Sequence, residues 1–502
     1  MEIKQLWGKR FERPPSEEKI IFSAGRDVTQ PPPRDVNLIP YDLWVNRVHT
    51  IMLTRQGITP RESAAKILRA LDEIEELAEQ GKFALEPTRE DVHTNIEAAV
   101  TEKIGIEHAG YMHCGRSRND QVQADMRLYL RDQAIDAGER CVNLGVALLE
   151  LAERYADAVM PGFTHHQHAM LTTWGAVLEG WAEGIVRDVR RYLDFLARYN
   201  RCPLGGAASY GTTFPIDREL TAQLLGFDSP ERSAIDSVAT RGEPEAELAF
   251  ALAATMFHLS QMAQTVIILS MRAPRMLRIA DEFAGGSSIM PQKRNPDALE
   301  VMKAKAALAG HAVDALLDIG RANLVGYNHD HQWTKYIIMD VVDEVLPAIT
   351  VMRGVLESLE VRREQMRQWA EKDFVCATAL AEALVMHHGV PFRLAKFVVG
   401  EAVLRSEKAG SESVTHEALL AAAREQRVEL EISAEQVAQY QDPQAAVERV
   451  SHTGGCAEEP LAQAVLAARE ELLCLRGELG SWRQRVEQAR QATVRAAREI
   501  VG

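Results

Sequence analysis

The run from Leu248 to Met271, LAFALAATMFHLSQMAQTVIILSM, contains no charged residue and is the strongest indication of the fold in this sequence. It is long enough to span a bilayer, but polar residues such as Thr255 and His258 interrupt it. Apolar residues on every side of a helix, with such interruptions, favour a helix buried inside a protein bundle over a membrane span. One small bundle would not cover it on all sides, so the run also predicts a tetramer.

The rest of the chain has a helical composition and a helical spacing. Gly and Pro account for only 32 and 20 of the 502 residues, and apolar residues recur at three- and four-residue intervals, as in Leu144, Leu148 and Leu151. Strand-like alternation is scarce. We predict a mainly α protein with an N-terminal helical domain (1–117), a central helix-bundle domain (118–366) and a smaller C-terminal helical domain (367–502).

The charge and the cysteines limit the possible partners. The chain has 57 Lys and Arg against 72 Asp and Glu, a net charge of −15, which argues against a nucleic-acid or an anionic-membrane surface and leaves small molecules or copies of itself. Its 6 cysteines are far apart and form no C-x-x-C pair, and Met1 to Arg10 has no apolar signal core. These features predict a cytoplasmic location. The stretch Gln30 to Pro33 separates a polar leader from the first apolar-periodic segment.

Three segments read as helix starts that could bind an anion. Asn295 is a candidate N-cap before Pro296, with Lys293 just outside the helix. Thr164-His165-His166-Gln167 matches a capping box, which predicts His165 in the first turn of a helix.

In the third segment, Ser117 or Asn119 could cap a helix beside Arg118, whose guanidinium can grip a carboxylate with two hydrogen bonds. Each segment alone is ordinary capping. Together with the Gly285-Gly286-Ser287-Ser288 run, they predict a site for a dianion.

The same residues resemble a known family. The run Gly286 to Asp297, GSSIMPQKRNPD, looks like the signature loop of the aspartase/fumarase superfamily, and Ser117 to Gln121, SRNDQ, narrows the resemblance to the argininosuccinate lyase branch. Further similarity lies at Leu6 to Phe11, Glu90 to His93, Pro161 to His165, Tyr327-Asn328 with Gln332 and Lys335, and Gly389 to Arg393.

The resemblance implies a homotetramer with a 20-helix core, in which three subunits build each active site. It also implies a reversible elimination of fumarate from an N-substituted aspartate, without a metal or an organic cofactor.

Residue roles follow from the same resemblance. Ser287 would be the base that removes the Cβ proton, His165 the acid for the leaving nitrogen, and Glu300 the residue that orients His165; Lys293 would be the fourth catalytic residue and would hold, with Asn295, the carboxylate next to that carbon. The other predicted substrate contacts are Ser117, Arg118, Asn119, Thr164, Ser288, Met290, Asp91, Tyr327, Gln332 and Lys335. The chemistry needs such groups, because the doubly charged intermediate must be stabilised electrostatically and a serine is a poor base in water.

The sequence departs from the family on the side that would hold the amine. Met170 and Leu171 stand where the family has polar Gln-Pro, Ser233 to Ser237 replaces Asn-Ser-Met-Asp-Ala, and Gly242 replaces an acidic residue after Arg241. Two substrates therefore stay open, argininosuccinate and another N-(1,2-dicarboxyethyl) amine of the ethylenediamine-disuccinate type.

Two other classes of protein compete with a lyase. A metal-dependent hydrolase could use His165 with His168, at i,i+3 spacing on a helix, and His329-Asp330-His331. An inactive structural homologue of the crystallin type would keep the fold and lose the chemistry.

Overall fold

The computed structural model describes Ser16 and residues 33–502, and within these it is mainly α, as predicted. The Gln30 to Pro32 break and the family-like Leu6 to Phe11 stretch lie outside the described residues. The helices are α1 (Ile39–Arg55), α2 (Arg61–Glu79), α3 (Val92–Ile104), α4 (Ile106–Ala109), α5 (Arg118–Arg154), α6 (Trp174–Tyr199), α7 (Arg218–Leu224), α8 (Asp236–Ala239), α9 (Glu243–Ser270), α10 (Asp297–Gly320), α11 (Thr334–Ser358), α12 (Arg363–Ala370), α13 (Ala377–His388), α14 (Phe392–Lys408), α15 (His416–Glu425), α16 (Ala434–Tyr440), α17 (Pro443–Glu448) and α18 (Glu458–Val501).

Three short strand pairs accompany the helices in the described part of the chain. β1 (Val159–Thr164) pairs antiparallel with β2 (Gln167–Thr173), and β3 (Arg201–Cys202) pairs parallel with β4 (Ser229–Pro230). β5 (Leu277–Arg278) pairs antiparallel with β6 (Glu360–Val361). The last pair ties the end of α11 to the segment that follows α9.

The long helices α5, α6, α9, α10 and α11 form the central bundle, with α5 against α6 and α9 against α10. Their apolar faces join one core with those of α1 to α3. α18 returns from the end of the chain and packs on α5 and α6, where Leu472 and Leu479 lie over Gly145 and Gly138.

A second apolar core lies within α13 to α16 and includes Leu384, Val398 and Leu419. It is separate from the bundle core, as a C-terminal domain requires. The three-domain division stays a prediction, and α18 belongs by packing to the bundle.

The uncharged run of the sequence forms most of α9, as predicted. Its polar interruptions bond to α6: His258 Nδ1 lies 2.8 Å from Asp188 Oδ2, and Thr255 Oγ1 lies 2.7 Å from the Tyr192 hydroxyl. In the described residues α9 is the one helix long and apolar enough to cross a membrane, and 44% of its most apolar window is buried. Phe250 and Phe257 stay 57% and 59% exposed, so a single chain covers only one side of this helix.

Candidate active site

The helix start at α5 has the geometry that the sequence predicts, with Ser117 as the cap. Ser117 Oγ accepts a hydrogen bond from the Asn119 backbone N–H at 3.3 Å, and Asp120 Oδ1 accepts one from the Ser117 N–H at 2.9 Å. The other Asp120 oxygen accepts from the backbone N–H groups of Gly205 and Ala207 at 2.9 and 2.8 Å. These bonds fix the mouth of α5 against a neighbouring loop.

Arg118 and Asp91 lie next to each other at this mouth. Arg118 Nη1 donates to Glu90 Oε2 at 2.8 Å and to Asp91 Oδ2 at 3.0 Å. Asp91 also caps α3 by accepting the Thr94 N–H at 2.8 Å. The hydrogen bond to Glu90 raises the pKa of Arg118, with burial opposing it. Burial opposes ionisation of Asp91, but the nearby His93, the Thr94 donors and Arg118 together lower its pKa. Asp91, one of the predicted substrate contacts, is therefore already paired with Arg118.

The other predicted contacts of this region come from α11 and the segment before it. Lys335 is only 2% exposed, and its Nζ contacts Asp35, whose second oxygen accepts the Val92 N–H at 3.1 Å. The Tyr327 N–H donates to Ser209 Oγ at 3.0 Å. Gln332 is half-buried.

A buried polar cluster beneath the mouth was not singled out in the sequence. His93 Nδ1 lies 2.9 Å from Asp42 Oδ1 and 3.3 Å from Asp125 Oδ2, and both carboxyl groups are fully buried. Burial and the neighbouring Asp42 raise the pKa of Asp125 well above its usual range. Burial opposes ionisation of Asp42, but His93, Arg116 and Gln121 lower its pKa. The two carboxyl groups therefore differ in acidity: the pKa is raised at Asp125 and lowered at Asp42. A pattern in the sequence could have indicated this cluster: polar residues recur at i,i+4 spacing on otherwise apolar helices, as Asp42 with Asn46 and Gln121 with Asp125.

This cluster also bears on the metal alternative. In the described residues Asp42, His93 and Asp125 are the one group of three whose ligand atoms lie close enough to share an ion. The fully buried guanidinium of Arg116 already supplies positive charge to both carboxyl groups. The donor set therefore fits a charged hydrogen-bond network better than a divalent cation.

The predicted helix start at Thr164 is wrong. Thr164 and Gln167 are paired across the β1–β2 hairpin, and His165 and His166 form its two-residue turn with φ of 54° and 59°. Positive φ at both turn residues is the turn that matches strand twist, and histidine tolerates it better than most side chains. Helix α6 begins only at Trp174, where Thr173 Oγ1 caps the Ala176 N–H at 3.0 Å.

The hairpin changes what His165 can do. Its ring is exposed at the tip of a turn, without the helix N–H groups that the capping box promised. The Pro161-Gly162 bulge and the Thr172-Thr173 pair were the strand signals in the sequence. The helical i,i+3 spacing of His165 and His168 is likewise absent: His168 lies on β2, 3.2 Å from Asp373 Oδ2.

The Ser287 loop is joined at its base and open at its tip. Gly285 and Asn295 exchange two backbone hydrogen bonds of 2.9 and 2.8 Å. Between them, Ser287 Oγ accepts from the Met290 N–H at 3.0 Å and the Ile289 N–H at 3.3 Å. Backbone donors thus reach the serine oxygen, as predicted for this loop, although they come from residues after the serine.

The helix start that was predicted at Asn295 lies elsewhere in the structure. α10 begins at Asp297 with Pro296 at the cap position, and Asn295 instead donates its side-chain N–H to the Gly286 carbonyl at 3.1 Å. The prediction that Asn295 is the N-cap is therefore wrong, because the strand-like bridge to Gly285 takes its backbone. Lys293 is exposed and has no side-chain partner in the described part of the chain.

Three further residues of the predicted set lie in or beside this loop. Ser288 and Met290 are exposed on the loop itself, and Glu300 is exposed in the first turn of α10. Within residues 33–502, neither Glu300 nor His165 makes a side-chain hydrogen bond, so one chain does not bring these two together.

The predicted site residues fall at two ends of the bundle. Arg118 opens α5, whose 37 residues span about 55 Å, and the hairpin with His165 follows the other end of that helix. The Ser287 loop also lies near the second end, because the adjoining strand β5 pairs with β6 and Arg363 of the next helix bonds the Arg154 carbonyl. No single chain can therefore place Arg118 and His165 on one small ligand.

Comparison with known proteins finds the same architecture and the same motifs. Residues 40–309 match a family described as Lyase, and residues 374–448 match one described as Argininosuccinate lyase C-terminal. The chain is 37% identical over 469 residues to argininosuccinate lyase of Hahella chejuensis, covering 93% of this chain and 97% of that protein. It is 41% identical over 400 residues to the Alkalilimnicola ehrlichii enzyme, covering 80% and 84%.

Among solved structures, EDDS lyase in complex with formate superposes with a TM-score of 0.89 at 30% identity, covering 98% of this chain and 97% of that one. An EDDS lyase variant with bound fumarate gives the same TM-score at 29% identity, with the same coverage. The match to the Lyase family spans more than half of the chain. The relatives above align with the chain along most of its length. The chain belongs to the argininosuccinate lyase branch of the aspartase/fumarase superfamily, and it is a carbon–nitrogen lyase.

Proposed function

We propose that the protein eliminates fumarate from an N-(1,2-dicarboxyethyl) amine, with Ser287 as the base. The observation that carries this proposal is the loop itself, where two backbone N–H groups point at Ser287 Oγ. These donors would stabilise an alkoxide, which a serine needs before it can remove a carbon-bound proton. Ser287 takes the Cβ proton, the C–H electrons form the carbon–carbon double bond, and the C–N bond breaks.

The carboxylate next to the acidic carbon needs positive charge as the proton leaves. Lys293 and Asn295 lie in the same loop as Ser287, and the exposed Lys293 ammonium is available to a ligand. Ser288 and Met290 would complete this side of the site. His165, on the hairpin tip, would give a proton to the leaving nitrogen, and Glu300 would orient its ring.

The second group of residues would hold the rest of the substrate. Ser117, Arg118 and Asn119 line the mouth of α5, and Thr164 stands beside the hairpin turn. Arg118 would exchange part of its contact with Glu90 for a substrate carboxylate. Asp91, Tyr327, Gln332 and Lys335 would contact or position the amine half.

A homotetramer with a 20-helix core would bring these groups together. The length of α5 separates the mouth from the hairpin within one chain, so other subunits must supply the missing groups. The exposed apolar side of α9, with Phe250 and Phe257, supports a helical interface, and we propose that three subunits form each site. Light scattering should give a tetramer; a stable, fully active monomer would refute the shared site.

Two amines remain candidates. The argininosuccinate lyases are the curated relatives, whereas the two closely superposed structures above are EDDS lyases. The addition direction separates the candidates directly: the protein is incubated with fumarate and with arginine or ethylenediamine, and the adducts are identified by mass. Formation of argininosuccinate alone, or of the disuccinate alone, decides between them; no adduct and no fumarate release from either compound would contradict the proposal.

The inactive-homologue alternative predicts no fumarate absorbance at saturating substrate. The metal-hydrolase alternative predicts loss of activity after exhaustive chelation, whereas a serine-base lyase keeps it. A cytoplasmic location and the absence of an organic cofactor remain part of the proposal.

A further inference from the structure

A basic cavity of about 720 Å³ lies beside the base of the Ser287 loop. Five arginines line it in the described part of the chain, and no acidic residue does: Arg272, Arg275, Arg278, Arg294 and Arg362. Such a cluster is unusual for a chain with a net charge of −15. Cavities of this volume are typical of sites for small organic ligands.

Three of the arginines share two carboxylates. Arg278 Nη1 lies 3.1 Å from one Glu360 oxygen, and Arg362 Nε lies 2.9 Å from the other. Arg294 forms its ion pair with Asp281 and donates to the Ile279 carbonyl at 2.9 Å. These ion pairs hold the guanidinium groups in place. Three arginines face two carboxylates, so one positive charge is not balanced by these pairs.

The other two arginines increase the excess. Arg272 and Arg275 are exposed, and neither side chain has a hydrogen bond or an ion pair among the described residues. Arg275 has a backbone φ of 49°, and its N–H donates to the Met271 carbonyl at 3.0 Å. A left-handed conformation is unfavourable for a residue with a side chain, so its presence in a basic cavity suggests a functional reason. Counted over the described residues, the five arginines and the two carboxylates paired with them leave an excess of three positive charges.

The lining also contains apolar groups and the start of a helix. The buried side chains of Leu277 and Ile279, with Ile267, form an apolar part of the wall. Pro296, at the N-terminus of α10, adds the positive end of a 24-residue helix. Guanidinium forks match phosphate and carboxylate groups, and the apolar part suits an organic body.

The cavity touches the loop at one proposed carboxylate contact, Asn295, but not at its predicted catalytic groups. Gln292, Arg294 and Asn295 line it, whereas Ser287 and Lys293 do not. Asn295 also forms the two-bond bridge to Gly285 that closes the loop base. The geometry points to a binding site for an organic polyanion, carrying phosphate or several carboxylates, whose occupancy stiffens the base of the Ser287 loop and changes the turnover rate.

Calorimetric titration of the full-length assembled protein with inorganic pyrophosphate, and separately with citrate, tests the site. Saturating fumarate and constant ionic strength exclude binding at the predicted substrate groups and general screening. We expect saturable binding that weakens at least tenfold in Arg272→Ala/Arg275→Ala. The matched control, Arg476→Ala/Arg495→Ala, removes two exposed arginines from α18 and should stay within twofold of the wild type.

The two probes distinguish a phosphate site from a carboxylate site, and binding of either supports the proposal. Failure of both to bind, or an equal loss in the two double variants, would overturn it. The titration does not depend on turnover, and the two double variants locate the binding whether or not fumarate is the product. If fumarate is formed, a turnover rate unaffected by saturating probe would overturn the coupling to the loop.

Discussion

The two ends of α5 hold their polar groups in opposite ways. At the N-terminal end, Arg118 is paired with Asp91, Lys335 with Asp35, and His93 with the buried Asp42 and Asp125. At the other end, the ring of His165 and the ammonium of Lys293 are exposed and have no side-chain partners in the described residues. The first end is preorganised, and the second offers groups that are free to meet a ligand.

This difference suggests a division of labour. Fixed charges can hold a carboxylate without reorganising at the moment of reaction, whereas proton transfer needs groups that close over the substrate. The Ser287 loop is joined at its base by the Gly285–Asn295 bridge and exposes its tip, with Ile289 86% exposed, as a closing loop requires.

The largest effect should come from the exposed end. Ser287→Ala removes the proposed base and should lower kcat by about 10²–10⁴-fold, with a much smaller change in substrate binding. Fumarate absorbance under saturating substrate measures it, with Ser481→Ala on α18 as the control serine. Unchanged turnover would show that Ser287 is not the base.

The two buried carboxyl groups near the N-terminal end of α5, Asp42 and Asp125, should respond differently to substitution. Asp42→Asn leaves His93 and Arg116 without their counter-charge and should lower the free energy of unfolding by about 3–5 kcal/mol. Asp125→Asn removes a carboxyl group whose pKa is raised by burial and by Asp42, so ionisation is disfavoured there, and it should cost about 1 kcal/mol. Denaturant midpoints of the two variants measure the difference, and equal losses would contradict the opposite directions of the two pKa shifts.

Arg118→Ala should act on binding more than on chemistry. Loss of charge-assisted hydrogen bonds is worth about 1.5–3 kcal/mol, or roughly 10–150-fold in KM, with kcat little changed. Steady-state kinetics against Arg321→Ala, an exposed arginine at the end of α10, tests it. A fall in kcat at constant KM would instead place Arg118 in the chemical step.

The smallest effect concerns pH. His49 is fully buried near the α5 mouth, its Nε2 lies 2.8 Å from the Cys114 carbonyl, and burial together with Arg116 lowers its pKa well below 6.5. The unfolded chain therefore takes up a proton that the folded chain does not. Above pH 6.5, His49 is neutral in both states and does not change the free energy of unfolding. Below pH 6.5, this free energy should fall by up to about 1.4 kcal/mol for each pH unit.

Unfolding midpoints between pH 7 and pH 5 measure this loss, which should be smaller in His49→Gln. An identical pH dependence in the two proteins would show that His49 does not cause it.

The sequence predicted one helix start well and two poorly, for physical reasons. At Ser117 a predicted capping residue bonds as expected, and Asp120, three residues later, completes the capping box. At Thr164 the same Thr-x-x-Gln pattern also fits a strand pair, and packing of β1 against α12 favours the strand. At Asn295 the bridge to Gly285 overrides the cap. A short polar motif is compatible with several backbones, and tertiary contacts select one.

Some features follow from local sequence: the mainly α fold, the apolar character of α9 around its whole surface, and the family motifs around Ser117 and Ser287. Apolar periodicity, charge and loop chemistry are local properties, so they can be read directly from neighbouring residues. Only the tertiary structure decided that His165 lies on a hairpin tip, that Asp42, His93 and Asp125 meet in one buried cluster, and that five arginines line one cavity. These depend on contacts between residues far apart in the chain, and no local pattern specifies which distant surface a side chain will meet.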